Sequence, residues 1–118
     1  MKERVSSFVH DLQDRICATL ERVDGRASFA EDRWDYAPAD GPGEGGGRSR
    51  VLAGGAVFEK AGVNVSSLNG KLSERLAERL GAADRSFFAT GVSLVIHPEN
   101  PHVPTAVSYT HLRAHETA

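Results

Sequence analysis

Ser93 and His97 stand four residues apart in the run SFFATGVSLVIH, and on an extended chain that spacing turns both side chains to one face. There a hydroxyl can donate to a ligand, and an imidazole can bind a proton or a metal ion. By themselves they also fit a plainer description, a solvated histidine at a strand end beside Pro98. His102 follows among prolines, and His111 with His115 has helical i,i+4 spacing, so four imidazoles gather near the end of the chain. A zinc site would need thiolates or carboxylates to complete that set, and none is placed beside it. Upstream, GEGGGRSR combines glycines, whose N–H groups can converge on an anion, with Arg48 and Arg50. It lacks the lysine and Ser/Thr of a P-loop and the GxGxxG of a dinucleotide site, and strand-like residues follow it. A glycine loop ahead of a sheet is the stronger local reading. Cys17 lies beside an apolar stripe and is expected to be inert core.

Elements must hold these residues in place. Val5, Phe8, Val9, Leu12, Ile16, Leu20 and Val23 recur at steps of mostly three and four, which predicts an amphipathic helix over about 3–23, stopped by Gly25. Residues 28–38 then mix Phe29, Trp34 and Tyr36 with acids, and the glycine-dense loop ADGPGEGGGRSR follows. Strands are expected at 48–53, 56–59 and 63–68, with turns at Gly54-Gly55, Gly62 and Asn69-Gly70. That is an antiparallel meander. Leu72, Leu76 and Leu80 mark a second helix over about 71–80, ended by Gly81. Residues 86–97 read as a central strand, after which Pro98, Pro101 and Pro104 hold HPENPHVPT extended. A long apolar strand needs both faces covered, so the chain reads as the front part of a larger domain.

Composition narrows the classes. At 118 residues the chain is one domain or a piece of one. Its 14 basic and 16 acidic residues give a net charge of -2, which argues against nucleic-acid binding by bulk positive charge. The lone cysteine rules out an internal disulfide and suits a reducing compartment. No apolar run approaches the ~20 residues of a membrane span. The opening MKERVSSFVHDLQDR has early acids and no apolar stretch, unlike a secretory signal. A cytoplasmic location is expected.

Two segments, GGGRSRVLAGGAVFEKAGVNVSSLNG and FFATGVSLVIHPENPHVPT, resemble the aerobic, oxygen-dependent coproporphyrinogen III oxidases. The likeness covers essentially residues 3–105. It implies an α+β fold, part of a large flat antiparallel sheet flanked by helices, incomplete in this chain. It implies a reaction that turns two propionates of coproporphyrinogen III into vinyl groups, consuming dioxygen and releasing carbon dioxide. No organic cofactor is implied; a divalent metal is associated with bacterial members, and the enzymes are homodimers. By this resemblance Ser93 matches a substrate-contacting serine and His97 a metal-binding histidine. Val57, Phe58, Glu59, Lys60, Ala61, Gly62, Val63, Asn64, Val65 and Ser66 match a segment tied to dimer formation. The family's proton-donating histidine falls two residues after the last threonine of HPxNPxVPT, followed by an Asn-x-Arg that holds substrate. Here Val107 occupies its place.

The peptide VSYTHLRAHET, from Val107 onward, resembles a translated sequencing-library adapter and begins where the family pattern breaks. Residues 1–106 are therefore expected to be the amino-terminal part of an oxidase domain, and 107–118 a non-native tail. The expected function is that of an inactive fragment of the enzyme. Two alternatives stand beside it. One is a small anion- or nucleotide-binding module using GGGRSR; the other is a non-enzymatic protein that dimerises through residues 57–66.

Overall fold

The computed structural model describes residues 2–36, 43–71, 74–81 and 86–115. Its elements are α1 (Lys2–Asp24), β1 (Ala30–Tyr36), β2 (Gly43–Ala53), β3 (Phe58–Lys71), α2 (Glu74–Leu80), β4 (Ser86–Pro98) and β5 (Ala106–His115). The strands form one antiparallel sheet in chain order, β1-β2-β3-β4-β5. This is the expected α+β arrangement. No helix among the described residues is long and apolar enough to cross a membrane.

The first helix forms as its periodicity dictates and lies across β3 and β4. Val9 and Cys17 pack on Val63, Val65 and Val92, with Leu12, Ile16 and Leu20 around them. Gly25 adopts φ 76°, a left-handed conformation that suits glycine, and its N–H closes on the Glu21 carbonyl at 3.0 Å. Phe8 and Val23, expected in the stripe, are 64% and 57% exposed. Their neighbours Val9 and Asp24 are buried instead.

Three expectations are corrected. The segment GEGGGRSR is not a loop: it runs inside β2, paired with β1 and β3. Close packing demands its glycines, since a Cβ at Gly47 would collide with the Trp34 indole and the Val65 carbonyl. Gly62 and Asn69-Gly70 are not turns either; both sit within the 14-residue β3, which merges two of the expected strands. The HPENPHVPT segment is not extended throughout. After β4, the Asn100 side-chain oxygen accepts the His102 N–H at 2.9 Å, and the Asn100 carbonyl accepts that of Val103 at 3.1 Å. The chain thus turns back into β5. The acid-rich segment given no element above is β1. Residues 39–42 of the expected glycine loop, the Ala37-Pro38 end of the segment before it, and Leu72 of the expected second helix lie outside the described residues. In α2, Leu76 is 42% exposed.

Candidate functional site

Strand alternation and register divide the sheet's residues between two faces. The helix-side face carries the core. Gln13 of α1, fully buried, donates to the carbonyls of Arg48 and Val63 at 2.7 and 2.9 Å and accepts from Arg48 Nε at 2.6 Å. Arg48 Nη2 also donates to Asp14, at 2.9 Å. Arg50 pairs with Asp14 and Glu31 at 2.8 Å. The guanidinium of Arg33, then that of Arg50, holds the Glu31 carboxyl down at about 2. Both arginines offered for anion binding are therefore engaged by internal carboxylates, and the backbone around them is engaged in sheet pairing. Burial raises the Cys17 thiol against the opposing pull of Arg50, as fits an inert core cysteine.

Asp24, 4% exposed, ends α1 as a hub. One carboxylate oxygen accepts the N–H groups of Arg26, Ala27 and Ala56, and the other those of Val57 and Phe58, all between 2.9 and 3.2 Å. The Phe58 and Ala27 N–H groups foremost hold this carboxyl well below the usual carboxylate range. No motif announces this site or buried Gln13. Apart from Arg26 and Ala27, their partners lie more than thirty residues away along the chain.

The opposite face has no helix packed on it among the described residues. Ser93 lies on it, between Asn64 of β3 and Tyr109 of β5. One step along, Ser66, Gly91 and His111 form a second row; on the other side Gly62, Val95 and Val107 form a third. Asn64, Ser66, Gly91, Ser93, Tyr109 and His111 all border a cavity of about 210 Å³. Tyr109 and His111 touch through phenol oxygen and Nδ1 at 2.8 Å. Trp34 covers Gly47 beside Ser66.

The sequence-predicted residues separate on this face. His97 shares the side of Ser93, but four extended residues set them about 13 Å apart. His97 is exposed, stands across from Lys60, and has Thr105 Oγ1 at 3.5 Å from Nδ1. No group of three His, Cys, Asp or Glu among the described residues could hold a metal ion. A divalent cation does not fit the donor set around His97. Val107, by contrast, lies on the Ser93 face, diagonal to it across β4 and β5 and 70% exposed. That diagonal is roughly 7–8 Å, within reach of one shared ligand.

The segment 57–66 lies mostly in the middle of the sheet, β3 being paired on both sides. Phe58, Ala61, Val63 and Val65 are core. Val57, Glu59, Lys60 and Asn64 are exposed, and Gly62 and Ser66 partly so. The family model described as Coproporphyrinogen III oxidase matches residues 4–117 of this chain.

Proposed function

The chain belongs to the coproporphyrinogen III oxidase family, an oxidoreductase family of porphyrin biosynthesis, and from that premise we propose that its uncovered sheet face is one wall of the substrate pocket of an oxygen-dependent member. The observation that carries the proposal is the register that sets Ser93 of β4 directly across from Asn64 of β3 on the face with no helix packed on it among the described residues. Ser93 donates its hydroxyl proton to a propionate carboxylate of coproporphyrinogen III and fixes that arm against the sheet. Turning the propionate into a vinyl group removes a β-hydrogen and the carboxylate, with dioxygen as oxidant. That chemistry requires a positioned proton carrier at the wall. Val107 has no titratable proton, so this chain binds and does not turn over. A cation at His97 would need its other ligands from outside the described residues.

The parent enzyme acts in the cytoplasm as a homodimer. Dimerisation through residues 57–66 rests on Val57, Glu59 and Lys60, because the core holds the segment's large apolar side chains. Residues 107–118 are a non-native tail. The adapter-like peptide and the loss of histidine at 107 support this, while the family match itself runs on to 117. Strand pairing of β5 does not count against it, because backbone groups make the ladder and any proline-free segment supplies them. Reading native genomic DNA past codon 106 tests the tail: a histidine codon at 107 is expected, and an unbroken VSYTHLRAHET refutes it.

The functional test is an assay of the 118-residue chain with coproporphyrinogen III in air. No protoporphyrinogen above the buffer rate is expected, together with saturable binding of coproporphyrin III read by quenching of Trp34, the single tryptophan. Ser93→Ala should weaken that binding about fivefold, the loss of one hydrogen bond. Turnover by the chain refutes the claim of inactivity. Binding indifferent to Ser93 removes this face from the pocket.

A further inference from the structure

The polar residues facing the cavity do not stop at Ser93. Asn64 is its direct cross-strand neighbour on β3, and Ser66 sits one step on, opposite Gly91. Both border the same cavity as Ser93. Among the described residues, no protein group hydrogen-bonds the side chains of Asn64, Ser66 or Ser93. Gly91 is buried and leaves the floor open between them, and a Cβ there would stand 2.8 Å from the Thr110 carbonyl oxygen. The cavity, at about 210 Å³, is smaller than the ~300 Å³ at which pockets for whole small ligands begin. It suits one arm of a larger molecule.

We propose that Asn64 and Ser66 are substrate-contacting residues which, with Ser93, bind a single propionate arm of the tetrapyrrole over Gly91. The proposal rests on the open face being the pocket wall. An amide NH2 and two hydroxyls supply neutral donors from two adjacent strands, about 4.8 Å apart, to a carboxylate with some four acceptor sites. This gives the 57–66 segment a role in the pocket through alternate residues of one strand, while their neighbours Val63 and Val65 build the core.

Coproporphyrin III titrations of the 118-residue chain, followed by Trp34 quenching, test it. Asn64→Ala and Ser66→Ala should each weaken binding about three- to tenfold. Asn64→Asp, similar in size but anionic, should weaken it further. Ser7→Ala is the control: Ser7 is exposed on α1, which packs on the other side of the sheet. It should leave binding unchanged, and the porphyrin tetramethyl ester should lose the dependence on Asn64. If Ser93→Ala weakens binding while both β3 alanine variants match the parent, this inference fails and the pocket wall stands. If the chain shows no saturable binding, both fail.

Discussion

At the scale of the residue, the strongest polar anchor is Asp24, whose carboxylate gathers five backbone N–H groups from both ends of a long loop closure. Its folded pKa is depressed, so its stabilising contribution is complete above the unfolded value of ~3.9 and is lost as pH falls through and below it. Glu31, held at about 2 by Arg33 and Arg50, acts in the same direction. Thermal midpoints recorded from pH 7 downward should therefore fall below about pH 4. Asp24→Asn should lower the midpoint at neutral pH and flatten that acid limb, and parallel profiles for the two proteins would refute the assignment. Sequence alone could nominate Ser93, because a hydroxyl inside an apolar strand is conspicuous. It could not nominate Asp24 or Gln13, since both depend on carbonyls and amides brought over from distant strands.

Elements were legible in proportion to how local their causes are. The first helix follows from spacing within a few turns, and β4 from a continuous apolar run. The strand at 48–53 is extended back to Gly43 in β2, and its first half reads as a loop because three consecutive glycines have that composition. The cause of those glycines lies in the neighbouring strand, where the Trp34 ring occupies the space a side chain at 47 would need. Likewise Gly62 and Gly70 suggested turns in what is one long strand, whose continuity comes from ladders on both sides. Gly47→Ala should accordingly destabilise the chain by about 1–3 kcal/mol in urea unfolding, and shift Trp34 emission as the ring is displaced. A neutral substitution would mean that the indole does not rest on this strand.

On the scale of the whole molecule, the radius of gyration is 17.4 Å, against about 13.5 Å for a compact domain of this length. The excess reflects a broad sheet with a helix on one side and exposed Val51, Val95, Val107 and Tyr109 on the other. β5 ends the sheet with one edge unpaired among the described residues. Such an edge beside an apolar face templates association. Light scattering should show concentration-dependent aggregation on mild heating, and a cooperative transition of a monomer would refute it. The pattern of strand neighbours has one more outcome. Because each strand pairs only with those adjacent in the chain, a ribosome delivers every partner in the order in which it is required. Loop closures stay short, and synthesis halted between strands leaves a narrower sheet of the same kind, its last ribbon waiting for the next to arrive.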